Sequence, residues 1–318
     1  MRTLWIHIGT PKTGSTAIQR FTRDNKDYLN PLGFDFLTRH RSGSYNDLSV
    51  ALRSGNHDRA VEIGAVVRNL ISKSALQNFV LTSEMFSGVN PAALRDVLAL
   101  PEPMGVKIVG YFRRQDKYLA NAYKQKLKTA KARFGFENFI AKFGTGGGEY
   151  RRIVAAWQTA WPEAEFLFRR FDPKSFPQGD VVRDFLQVLG IDTQADGFPT
   201  PQSAANATPS IDVLDLMQLV KNVPEVHIRR VFRSLPQQDL PRFSGGVMDN
   251  ATAKALLAKF AEDNEALRAQ FFPDEAALFD ASDLDGPEPD IAMSSFTDEQ
   301  RAIVQVLLQA VAKRAVNP

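Results

Sequence analysis

Gly9-Thr10-Pro11-Lys12-Thr13-Gly14-Ser15-Thr16 gathers what an anionic ligand needs: two glycines, several hydroxyls and a lysine inside one short stretch. An apolar run over residues 4–8 precedes it, and an amphipathic stretch over residues 15–26 follows, so the order is strand, tight loop, helix. Backbone N–H groups and the helix dipole at such a junction favour a phosphate. The spacing G-x-x-x-x-G is that of a nucleoside-triphosphate loop, yet Ser15 stands where that loop needs its lysine, and Lys12 sits within the loop instead. Thr13, Ser15 and Thr16 can add hydroxyl donors to those of the backbone.

Two further residues belong with this loop. Glu84 follows a buried-type strand over residues 78–82, and Arg113 ends another over residues 106–112. Strand ends in a parallel sheet meet at its carboxyl edge, where open α/β folds bind ligands. An arginine fork there suits a phosphate, and a carboxylate there suits proton abstraction from an attacking hydroxyl.

The elements that must position these residues alternate. A helix over residues 58–72 leads to the strand carrying Glu84, and a long helix over residues 116–131 follows Arg113. After the Gly-rich break at residues 144–148 come a helix over residues 151–161, a strand over residues 165–168 and a helix over residues 180–189. Strands alternating with helices predict an α/β fold, a parallel sheet flanked by helices on both faces. Residues 196–210 shift to Pro, Thr, Ser, Ala and Asn, a loop composition. Helical periodicity returns over residues 251–272 and 297–313, with an acidic loop over residues 273–289 between them. The expected organisation is an α/β core over residues 1–195 and a loop-rich, helical extension over residues 196–318, packed on the core.

With the residues laid out, Pro11-Lys12-Thr13-Gly14-Ser15-Thr16 resembles the 5'-phosphosulfate loop of sulfotransferases that use 3'-phosphoadenosine-5'-phosphosulfate (PAPS), as in soluble bacterial members of that family. A second signature of the family is an arginine at a strand end, a serine eight residues later, and often a tyrosine two further on; here it reads Arg113, Asn121, Tyr123. The resemblance implies a P-loop-like sulfotransferase fold, with residues 11–16 holding the 5' side of PAPS. It implies Arg113 as the clamp on the donor's 3'-phosphate, with Asn121 substituting an amide donor for the serine hydroxyl. It places Lys12 beside the bridging oxygen of the phosphosulfate, where negative charge grows as the sulfo group leaves. Ser83-Glu84 resembles the region where some members carry a glutamate base, so Lys12 and Glu84 are the candidate catalytic residues. The likeness runs through Phe136 to Phe139, Trp157, Phe168 to Asp172, Asp184 to Leu186 and Gly190-Ile191, positions that read as packing.

Composition narrows the field. The 318 residues hold no cysteine, which excludes disulfides, thiolate nucleophiles and cysteine-based metal sites. Lysine and arginine number 39 against 36 acidic residues, too even a balance for a nucleic-acid protein. His7 lies inside the first strand and reads as a satisfied core histidine, while His40, His57 and His227 show no ligand spacing, so no metal site is expected. The N-terminal apolar run is short and interrupted, no stretch is long enough for a membrane span, and a reducing cytoplasm is the expected home. Lys117, Lys124, Lys128 and Lys131 fall near one helix face, either a solvated face or a surface for an acidic saccharide acceptor. Two other readings stay open: a kinase holding ATP in the same loop with magnesium near Glu84, and a non-catalytic nucleotide-binding protein.

Overall fold

The computed structural model describes residues 1–10, 12–38, 43–101, 103–129, 135–201, 208–221, 223 and 239–316, and every structural statement below concerns these residues. In chain order the strands are β1 (Arg2–His7), β2 (Phe34–Phe36), β3 (Asn78–Thr82), β4 (Met104–Phe112) and β5 (Glu165–Arg170). The helices before residue 200 are α1 (Ser15–Asp24), α2 (Lys26–Leu29), α3 (Asn46–Arg53), α4 (His57–Lys73), α5 (Pro91–Leu98), α6 (Gln115–Lys128), α7 (Phe136–Phe143), α8 (Tyr150–Ala160) and α9 (Val181–Val188). After residue 200 come α10 (Ile211–Lys221), α11 (Asn250–Ala258), α12 (Ala261–Phe271) and α13 (Asp298–Val316).

The chain divides into two compact units, neither of them continuous in sequence. The first comprises Met1–Arg114, Gly147–Ala204 and Phe260–Phe279; the second comprises Gln115–Gly146, Ala205–Lys259 and Asp280–Pro318.

The first unit is the expected α/β fold. Its five strands are all parallel, in the order β2-β3-β1-β4-β5. Strand alternation sorts the core into two layers. Leu4, Ile6 and Ile8 join Phe79, Leu81, Ile108 and Phe112 against helices α4, α5 and α8. Trp5, Val80, Val109 and Tyr111 face the other way, onto Ile18 and Phe21 of α1 and Phe185 and Leu186 of α9. Both faces are therefore covered, as a parallel sheet requires.

This order places the site. The chain leaves β1, builds β2 and β3 on one side, then crosses to add β4 and β5 on the other. The crevice between the carboxyl ends of β1 and β4 is the switch point, and open sheets of this kind bind ligands there. A buried network ties α9 to β4 and β5: Asp184 on α9, fully buried, accepts from the Tyr111 hydroxyl at 2.7 Å and pairs with Arg169 Nη2 at 2.5 Å.

The second unit is helical. Helix α10 packs against α6 and α13, α11 packs against α6, and α7 packs against α6. The lysines of α6 are partly engaged within this unit: Lys117 Nζ lies 3.1 Å from Asp283 Oδ2, and Lys124 Nζ lies 4.1 Å from the Phe243 ring centroid. Lys131, His40 and His227 lie outside the described residues.

Candidate functional site

Between β1 and α1 the backbone turns through three left-handed residues, Gly9 (φ 49°), Lys12 (φ 71°) and Gly14 (φ 78°). Gly9 is required by space as well as by φ. A Cβ there would lie 2.7 Å from Glu84 Cα and 2.8 Å from the Ser83 carbonyl oxygen, both backbone atoms. The bare glycine lets the loop press against the turn that carries Glu84. Lys12 pays a conformational cost that glycine would avoid, and such strain persists only where the surroundings enforce it. Here Arg113 Nη1 donates to the Lys12 carbonyl oxygen at 2.6 Å.

Other bonds lace the loop to itself and to β4. The Thr10 hydroxyl donates to the Tyr111 carbonyl oxygen, and Thr13 Oγ1 donates to the Thr10 carbonyl oxygen at 2.6 Å. Thr13 thus commits its proton to the loop's own backbone. Ser15 differs: its hydroxyl is buried and has no hydrogen-bond partner among the described residues. A buried polar atom without a partner calls for an explanation, and an anion seated in this loop supplies one. Thr16 is exposed on the first turn of α1, which carries no acidic residue and no side-chain cap, so its amide dipoles face the loop uncompensated. Pro11 lies outside the described residues.

Three charges converge at Lys12. Lys12 is exposed, yet partial desolvation of its ammonium lowers its pKa, the Glu84 carboxylate raises it, and the Arg113 guanidinium lowers it again. Glu84 is half-buried in a turn fixed by its neighbour. Ser83 Oγ donates to Asn46 Oδ1 at 2.6 Å, lies 2.8 Å from Ser49 Oγ, and accepts from the Met85 amide at 3.2 Å. Ser83 and Ser87 also receive the ends of β1, through Ser83 N to the His7 carbonyl at 3.2 Å and Ser87 N to the Ile8 carbonyl at 2.8 Å.

Arg113 is half-buried, with its guanidinium 5.0 Å from the Phe171 ring centroid and its carbonyl accepting from the Tyr150 hydroxyl at 2.7 Å. Arg114 beside it is buried. Asn121 belongs to the second unit, on α6, where its Nδ2 donates to the Lys117 carbonyl oxygen at 2.7 Å. Lys12, Glu84 and Arg113 therefore share one crevice, while the amide of Asn121 is spent on its own helix. Asn46, Ser49 and Tyr150, which brace the site, carried no signal in the sequence.

His7 is a core histidine only half satisfied. Nδ1 lies 2.9 Å from Thr82 Oγ1, Gln19 Nε2 donates to the same oxygen at 3.3 Å, and His7 Nε2 has no partner among the described residues. Full burial pushes its pKa down to about 4. Among the described residues no group of three His, Cys, Asp or Glu is placed to hold a metal ion, and no helix is long and apolar enough to cross a membrane.

No family model matches the chain. An uncharacterized protein of Archaeoglobus fulgidus is 29% identical over 205 residues, covering 61% of this chain and 53% of that protein. The chain thus matches about half the length of this relative. Among solved structures, the crystal structure of a sulfotransferase from Alicyclobacillus acidocaldarius is similar at 15% identity with a TM-score of 0.42, covering 64% of this chain and 85% of that one.

Proposed function

We propose that this chain is a sulfotransferase that moves the sulfo group of PAPS to a hydroxyl or amine of an acceptor. The observation that carries the reading is the meeting of Lys12, Glu84 and Arg113 at the switch point of the sheet, around a loop with a partnerless buried hydroxyl. The residues fit the donor. The start of α1 and Ser15 suit its 5' phosphate, and Arg113 suits its 3'-phosphate through the fork geometry of guanidinium and phosphate.

The reaction is an in-line displacement at sulfur. The acceptor oxygen or nitrogen forms a bond to sulfur as the bond from sulfur to the bridging phosphate oxygen breaks. Glu84 takes the acceptor's proton, and the leaving 3'-phosphoadenosine-5'-phosphate keeps the electron pair. Lys12 and the loop amides stabilise the charge that grows on that oxygen. A sulfo group carries less negative charge than a phosphoryl group, so this chemistry does not call for a divalent cation. The donor site in this reading is built from residues 9–16, Glu84 and Arg113 of the first unit, and a saccharide in the cytoplasm is one acceptor class.

Calorimetric titration without magnesium tests the reading. The ligands are 3'-phosphoadenosine-5'-phosphate and the analogue lacking its 3'-phosphate, each with the wild type and Lys12→Ala. Binding that depends on the 3'-phosphate supports it, and no binding sinks it in favour of ATP with magnesium. Binding of PAPS with no acceptor-dependent release of the desulfated nucleotide, across hydroxyl and amine acceptors, would instead identify a non-catalytic binder.

A further inference from the structure

Strand register brings an aromatic ring to the arginine of the site. Strands β4 and β5 run parallel with Phe112 opposite Arg170, so the residues that leave their carboxyl ends, Arg113 and Phe171, emerge side by side. The Phe171 amide donates to the Phe112 carbonyl oxygen at 2.6 Å, which carries the ladder one residue past β5. The Arg113 guanidinium lies over the Phe171 ring, 5.0 Å from its centroid. That ring is itself held. It meets Phe176 edge-on at a centroid distance of 5.4 Å and packs, half-buried, on the core layer that contains Phe176 and Phe185.

Two contacts therefore fix the guanidinium plane. Nη1 donates to the Lys12 carbonyl oxygen at 2.6 Å, and the ring of Phe171 lies against a face. A guanidinium is planar and weakly hydrated, so an aromatic ring suits its face while its N–H groups point outward in the plane. An arginine side chain turns about several bonds, and ordering it on a ligand reduces affinity; one that is already ordered avoids most of that loss. Phe171 carries no charge and no hydrogen-bonding group on its side chain. Its influence on a bound anion runs through the arginine.

We infer that Phe171 is a positioning residue, which holds the Arg113 guanidinium in the orientation that receives the 3'-phosphate of the donor; this rests on the sulfotransferase reading. A residue that acts only through Arg113 has an effect no larger than that of removing Arg113, confined to ligands with a 3'-phosphate, and absent once Arg113 is gone.

Nucleotide titration on the full chain tests all three properties. The ligands are 3'-phosphoadenosine-5'-phosphate and adenosine-5'-phosphate, which lacks only the 3'-phosphate. Phe171→Leu keeps an apolar side chain in the core but removes the π face; Phe171→Met does the same without branching, and serves if thermal melts show the leucine variant to be unfolded. The variant is expected to bind the 3'-phosphorylated ligand about five- to tenfold more weakly and adenosine-5'-phosphate within about twofold of wild type. Phe171→Trp, which restores an aromatic face, should recover most of the loss. In an Arg113→Ala background, adding Phe171→Leu should change affinity by less than about twofold, the signature of two residues acting as one unit. An unchanged affinity in Phe171→Leu, an equal loss for both ligands, or a loss that persists without Arg113 overturns the inference while leaving the donor assignment standing. A wild type that binds the two ligands equally overturns the donor assignment itself, and the inference with it.

Discussion

Arg113 Nη1 donates to the Lys12 carbonyl oxygen at 2.6 Å, which ties the charge at the end of β4 to a loop residue held in a left-handed conformation. One guanidinium thus supports the loop and presents positive charge in the same crevice. Replacing it removes both effects. Arg113→Ala is expected to weaken binding of 3'-phosphoadenosine-5'-phosphate about 10- to 100-fold, the loss of one or two hydrogen bonds to a charged group. Arg113→Lys should recover only part of this, because a point charge lacks the fork. Calorimetry on the three proteins checks it, and an unchanged affinity in Arg113→Ala would remove the residue from the donor site.

The two glycines of the loop should fail differently. At both, alanine meets a left-handed backbone that costs about 1 to 2 kcal/mol for a residue with a Cβ. Gly9→Ala also drives a methyl to 2.7 Å from Glu84 Cα, where only backbone movement relieves it, so the turn carrying Glu84 must shift. Gly14→Ala meets Val181 Cγ1 at 2.6 Å, a side-chain atom. Pairing Gly14→Ala with Val181→Ala should therefore relieve the steric part of its destabilisation, leaving the backbone part, while donor binding in Gly9→Ala stays lost. Thermal melts and nucleotide titration of the single and double variants separate the two. Equal donor affinities in Gly9→Ala and wild type would show that the close approach to Glu84 does not matter.

Glu84→Gln keeps the size and the packing of the side chain but cannot take a proton. Turnover is expected to fall about 100- to 10,000-fold, the usual contribution of a positioned base, while donor affinity changes by only a few-fold. Single-turnover assays set beside nucleotide titration make the comparison once an acceptor is in hand. Full activity in Glu84→Gln would assign proton removal to another group.

The positions of Lys12, Glu84 and Arg113 were legible because each lies on the segment that leaves the carboxyl end of a strand, and those ends converge in a parallel sheet. The alternating apolar runs that define β1, β3 and β4 are strong local signals. What braces the site was not legible. Ser83 is held by Asn46 and Ser49, more than thirty residues earlier in the chain, and that bond exists only once α3 packs beside β3. The three-residue strand β2 is too short to show a period, and α3 buries only Leu48, Ser49 and Ala51, too few apolar positions to mark a face. Residues 251–272 read as one helix, yet the structure breaks it between Ala258 and Ala261 with neither glycine nor proline at the break. Gly9 was read as a turn residue; its close approach to Glu84 is a tertiary fact.

His7 offers a test of the core beneath the site. Burial lowers its pKa from 6.5 to about 4, so the folded chain resists protonation that the unfolded chain accepts. The stability this group contributes is fully present above pH 6.5, declines as pH falls, and is lost once pH drops through about 4. A shift of that size corresponds to about 3 kcal/mol across the window. Carboxylates titrate over part of the same range, so the wild type alone cannot isolate the effect. Subtracting a variant can: His7→Gln should be less stable at pH 7, through the lost contact with Thr82, yet lose less stability than wild type between pH 7 and pH 4. Urea unfolding at several pH values reads both slopes. Parallel curves would mean that the imidazole takes up its proton in the folded state without penalty, and would overturn the prediction.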